Sequence, residues 1–108
     1  MFTAADLTAL AGAWSWFEEV VGPAVAGGPG GLVDDDLAYV APWGFDVARI
    51  AAPVLLLHGE EDRVVPCSHA RWLAERCPGA ELRSSARDGH ISVLNAAPDA
   101  LEWLVGRR

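Results

Sequence analysis

Two residues of this sequence are of the right types to act together chemically, Asp62 and His90. A carboxylate in contact with an imidazole forms the rear half of a nucleophilic relay. The carboxylate accepts a hydrogen bond from one ring nitrogen and fixes the tautomer. It then steadies the imidazolium when the other nitrogen takes a proton from the nucleophile. The remaining candidates are weaker. Asp34, Asp35 and Asp36 are consecutive, so their side chains point in different directions, and no further ligand motif accompanies them. Helix capping is the expected use of these three, rather than cation binding. His58 and His69 are expected to be structural or exposed. Cys67 lies near the expected start of a helix, a position that can activate a thiol.

The elements that must position Asp62 and His90 can be read from the apolar pattern. Pro53-Val54-Leu55-Leu56-Leu57-His58 is a continuous apolar run between a proline and a glycine. It does not alternate, which predicts a parallel strand buried on both faces. A helix is expected from about Cys67 to Cys77, a weaker strand over 80–85, and a last helix from near Pro98 through Leu101, Leu104 and Val105. Arg107 and Arg108 would then sit favourably at the negative end of that helix. Strand, helix, strand and helix in this order predict two parallel strands joined by a right-handed crossover. In open α/β sheets the chemistry lies at the C-terminal ends of strands. Asp62 follows the first strand and His90 the second, so both reach the same sheet edge.

Upstream, Leu7, Leu10, Ala11, Trp14, Phe17 and Val21 recur at helical spacing, and a single helix is expected over 3–21. Thr3 is its expected N-cap, with Asp6 three positions on in place of the usual Glu. Gly22-Pro23 should end it, and Gly27-Gly28-Pro29-Gly30-Gly31 reads as a flexible break. Asp34 to Asp36 should open a short helix through about Val40, closed by Pro42. Trp43-Gly44-Phe45-Asp46 reads as a turn, with Asp46 capping a single turn through Arg49. Trp14, Trp16, Trp72 and Trp103 are expected to pack. Trp43 and Phe45 either pack in the core or border a pocket.

The stretch from Pro53 to Pro66, PVLLLHGEEDRVVP, resembles the penultimate strand and acid loop of the α/β-hydrolases, and Asp88-Gly89-His90-Ile91-Ser92 is similar to their catalytic-histidine loop. One helix and one strand separate the two, and Asp before His is the order of that family's last two triad members. Residues 34–46 are similar to the stretch that leads from the cap back to the sheet in some members. The resemblance implies a partial α/β-hydrolase fold, with two parallel strands, flanking helices and an N-terminal cap-like helix. Residues 1–31 would be the tail of a helical cap with its Gly-rich break, and 32–108 the C-terminal part of the core. It also implies Asp62 and His90 as catalytic residues, a serine nucleophile, and no metal or organic cofactor.

The family's Gly-x-Ser-x-Gly elbow does not occur in these 108 residues, nor does an oxyanion-hole loop. Ser15 lacks flanking glycines, Ser68, Ser84, Ser85 and Ser92 stand in the wrong order or on the wrong elements, and Cys67 follows the acid. The expectation is therefore the C-terminal portion of a serine hydrolase acting on a small ester or a peptide bond, inactive alone. The alternative is a non-catalytic interaction module or half of a split enzyme, pairing through the free apolar edge of strand 53–58, with itself or a partner chain. A truncated reading frame without selected function is a third possibility.

Composition narrows the remaining classes. A hydrophobic fraction of 52% suits a packed core and not a disordered chain. A net charge of −7, with arginine as the only basic residue besides histidine and no basic cluster, argues against a nucleic-acid partner. No apolar run is long enough for a membrane span. Met1 to Asp6 does not resemble the start of a secretory signal, and two cysteines without metal-site spacing are too few for a disulfide framework. A cytoplasmic location is the resulting expectation.

Overall fold

A computed structural model describes residues 1–107. Along the chain these form α1 (Ala4–Ala11), α2 (Phe17–Val25), α3 (Gly30–Val40), a 3-10 turn (Val47–Arg49), β1 (Val54–Gly59), α4 (Cys67–Arg76), β2 (Ala80–Ser85), a second 3-10 turn (Ser92–Ala96) and α5 (Ala97–Val105). The class is α/β. β1 and β2 pair in parallel, from Val54 opposite Ala80 to Gly59 opposite Ser85, and the connecting α4 packs on both strands.

α4 sits close to the sheet because it turns small side chains inward. Cys67 and Ala70 are buried, as is Cys77 just past the helix, and both cysteines are free thiols. Val47, Ala9 and Ile91 complete the buried apolar set. β1 is less enclosed than its apolar run predicts, with Val54 to His58 each only half-buried. The physical reason is that β1 is paired on one edge alone among the described residues. An apolar trough lies along it, lined by Pro53, Val54, Leu55 and Leu57 and by Leu101 and Leu104 of α5. The Cα radius of gyration, 15.6 Å, exceeds the roughly 13 Å usual for this length, as befits an open arrangement.

The N-terminal part departs from its periodicity. In place of one helix over 3–21 there are two, because the chain turns over Gly12 to Trp16. Three rings gather at the turn: Trp16 meets Phe17 edge-on at 4.6 Å, and Trp14 lies 5.2 Å from Phe17. The indole of Trp14 donates to Asn95 Oδ1 at 2.9 Å and ties the turn to the second 3-10 segment. α2 also runs past Gly22-Pro23 to Val25, with Pro23 inside its last turn.

α3 begins at Gly30, so Asp34, Asp35 and Asp36 lie within it and do not cap it. Val33 N–H bonds the Pro29 carbonyl at 3.0 Å and closes the first turn, which runs through Gly30 and Gly31. Neither α2 nor α3 buries any residue. Asp46 does cap the turn through Arg49, accepting from Ala48 N–H at 2.9 Å. Past α5, Arg107 lies over the Trp103 ring at 4.1 Å and bonds Glu81 at 3.2 Å, whereas Arg108 is outside the described residues.

Candidate active site

The acid loop starts where β1 ends, and the histidine loop where β2 ends. Glu60 N–H donates to the Ser85 carbonyl at 2.9 Å, and Glu61 N–H to the Asp88 carbonyl at 3.0 Å, so the two loops are joined by backbone bonds beyond the sheet. Gly59 permits this approach: a Cβ there would fall on the Asp88 carbonyl.

The structure brings Asp62 and His90 together. His90 Nδ1 is 2.9 Å from Asp62 Oδ2. The other carboxylate oxygen, Oδ1, accepts from the amides of Val64 and Val65, each at 2.8 Å. Burial raises the carboxyl pKa, with the side chain 4% exposed, but the Val65 amide, His90 and the Val64 amide together outweigh it and hold the group below the usual carboxylate range. An ionised Asp62 requires a proton on His90 Nδ1, which leaves Nε2 as the basic nitrogen of the neutral ring. Nε2 has no hydrogen-bond partner among the described residues, and the His90 side chain is 37% exposed.

His58 has a more definite place than its sequence suggests. Its Nε2 lies 2.9 Å from the Val65 carbonyl, and since a carbonyl only accepts, that nitrogen must carry the proton. The same atom is 3.6 Å from Asp62 Oδ2. His58 therefore braces the acid loop from the strand end. His69 is exposed on α4.

His90 borders a cleft of about 1180 Å³ between α3 on one side and α4 with the acid loop on the other. Tyr39, Val40 and Trp43 line the first wall, and Val65, Trp72 and Leu73 the second. Trp43 and Phe45 are stacked at 5.7 Å and half or more exposed, so they are not core residues, and Trp43 takes the pocket-border place. Trp72 is likewise exposed, with the Arg76 guanidinium 4.2 Å from its ring, and Trp16 is 47% exposed. Both pack at the surface, Trp16 against Phe17 and Trp72 under Arg76. The Asp34 to Asp36 run forms no ligand set: among the described residues no group of three or more His, Cys, Asp or Glu side chains is gathered as for a metal ion. No helix among them is long and apolar enough to cross a membrane.

One residue at the site has a second connection that its sequence context conceals. Thr3 and Asp6 form the expected capping box. But Asp6 Oδ1 also accepts from Ile91 N–H at 2.8 Å, Ser92 N–H at 2.9 Å and the Ser92 hydroxyl at 3.1 Å. Asp6 is 1% exposed. Burial alone would raise its pKa, but the amides of Ser92, Thr3 and Ile91 reverse the effect and hold it far below the usual range.

Comparison with known proteins gives short matches. Over 34 residues the chain is 44% identical to alpha/beta hydrolase domain-containing protein 17C of Xenopus tropicalis, which covers 32% of this chain and 11% of that protein. The human protein of the same name matches at the same identity over 10% of its length. Over 57 residues, 53% of this chain, it is 35% identical to a pimeloyl-[acyl-carrier protein] methyl ester esterase of Aromatoleum aromaticum, 23% of whose length is covered. The matched stretches thus span less than a quarter of these relatives. No protein-family model and no solved structure matches. The partial likenesses point to an α/β-hydrolase relationship.

Proposed function

We propose that these residues are the acid-and-histidine portion of an α/β-fold serine hydrolase, with Asp62 and His90 as two members of its triad. Residues 1–31 would be the tail of its cap and 32–108 the C-terminal part of its core. The observation that carries this reading is the 2.9 Å contact of His90 Nδ1 with a buried, amide-held Asp62, on a ring whose Nε2 is unbonded among the described residues and which borders an apolar cleft. A serine from sequence outside these residues, or from a partner chain, would lose its proton to Nε2 as its oxygen attacks a small ester or peptide carbonyl. His90 would return that proton to the leaving alcohol or amine. It would then take one from the water that releases the acyl group. Asp62 keeps the ring oriented and offsets its positive charge while the proton is held. The apolar cleft walls favour an apolar group on the substrate, and the esterase match suits an ester.

A second, compatible reading has one observation in its favour. The half-buried β1 and the apolar trough beside it offer a place for a further strand. Parallel sheets are normally covered on both faces, and an exposed apolar edge invites pairing with a further strand. That strand would belong either to the same polypeptide or to a separate chain supplying the serine.

The test is to isolate the native polypeptide or complex that contains these residues and treat it with a serine-directed fluorophosphonate. A single labelled serine, lost in the His90→Ala form, supports the proposal. A native species with no reactive serine, unchanged by His90→Ala, contradicts it and favours a non-catalytic interaction module.

A further inference from the structure

We propose that Asp6 is a positioning residue for His90: through Ile91 and Ser92 it locks the histidine loop in the conformation that meets Asp62. The inference rests on the reading of Asp62 and His90 just given, and adds a residue from the opposite end of the chain to it.

A helix cap alone does not account for Asp6. In the capping box only Oδ2 is engaged, by the Thr3 amide and hydroxyl, both at 2.9 Å. Oδ1 is given wholly to residues 85 and 86 positions away in sequence. The amides it receives are those of the two residues directly after His90. The residue directly before is held by the same assembly, because Gly89 N–H donates at 2.8 Å to the Ser92 hydroxyl, which itself bonds Asp6. The backbone on both sides of His90 is therefore tied to one buried carboxylate. The ionised form is the one that accepts all these bonds, and it is also the form that the surrounding amides favour.

Gly89 provides independent support. A Cβ at this position would fall on the Asp6 carboxylate, so the glycine of the Asp-Gly-His sequence leaves the space Asp6 fills. The same packing explains why the box carries Asp and not the longer Glu usual at that position. An extra methylene would drive the carboxylate into the Gly89 backbone. Phe2, next to Thr3, lies near the imidazole with ring centroids 6.4 Å apart and planes inclined by 16°, so the N-terminal segment reaches both the loop and the ring.

The test reads the His90 ring itself, by two-bond nitrogen–proton correlation spectra and Nδ1-proton exchange in the histidine-labelled native polypeptide or complex that contains these residues. Parent, Asp6→Glu, Asp6→Asn, Ser92→Ala and Asp62→Asn forms are compared. The parent should show one tautomer, protonated on Nδ1. Asp6→Glu supplies the better capping side chain but should still mix the tautomers and speed Nδ1 exchange by about tenfold to a hundredfold, as loss of a charge-assisted bond implies. Asp6→Asn should do the same, and Ser92→Ala, which leaves the cap intact, should speed exchange to a smaller degree. An Asp6→Glu or Asp6→Asn form that keeps the parent's tautomer and exchange rate overturns the proposal. If both Asp6 variants fail to fold, an unchanged Ser92→Ala spectrum overturns it. A parent whose Nδ1 proton is indifferent to Asp62→Asn would instead refute the underlying Asp62–His90 reading, so the two failures are distinct.

Discussion

Replacing Asp6 with alanine should be among the most damaging single changes available in this chain. The substitution strands the buried amides of Ile91 and Ser92 and removes half of the α1 capping box. Each amide left without an acceptor costs about 1–3 kcal/mol, and loss of a cap about 1 kcal/mol, so the expected loss with two amides stranded is about 3–7 kcal/mol. That is a large part of the roughly 5–15 kcal/mol that holds a domain folded. Thr3→Ala serves as the control. It removes the cap and leaves the Oδ1 bonds, and should cost only about 1 kcal/mol. Urea unfolding at neutral pH measures both, and with a slope of about 1–3 kcal/mol per molar the two midpoints should differ by about 1 M or more. If Asp6→Ala costs no more than Thr3→Ala, the long-range bonds contribute nothing and the reasoning fails.

Further expectations follow from the same geometry. Asp6 and Asp62 both have folded-state pKa values below their ordinary ones. Each therefore contributes stability that is present above the unfolded value of about 3.9 and is lost as pH falls through the folded value. Thermal stability should hold from pH 7 to about 5 and fall below that, with a shallower fall in Asp6→Asn; a parent equally stable at pH 2 and 7 would contradict this. Gly59→Ala and Gly89→Ala should each cost about 3 kcal/mol or more in unfolding experiments, because the added carbon meets backbone in one case and the Asp6 carboxylate in the other. The isolated 108 residues should hydrolyse nitrophenyl esters no faster than free imidazole does, and turnover above that rate would show a nucleophile inside this sequence.

The part of the molecule around Asp62 and His90 was the part most legible in sequence. A continuous apolar run between Pro53 and Gly59 leaves few alternatives to a buried strand, and β2 spans the expected 80–85. Asp62 and His90 followed from those strands, since parallel pairing brings the two strand ends together. The N-terminal third was less legible for definite reasons. Helical periodicity continues through the Gly12 to Trp16 turn because the ring cluster there uses the same apolar residues a helix face would. Asp34 to Asp36 have the composition of a cap, and only the course of the backbone shows that the helix had already started at Gly30. Asp6 was concealed by a sufficient local explanation. Three residues after Thr3 it completes a capping box, and nothing in a local pattern reveals that its second oxygen serves residues 91 and 92.

Whether Asp62 and His90 work as a catalytic pair is read most directly from ester hydrolysis by the native polypeptide or complex that contains them, with and without His90→Ala. A folded His90→Ala variant should lose about a thousandfold or more in kcat, as removal of a triad member causes. Undiminished turnover after His90→Ala would contradict a catalytic role for the pair.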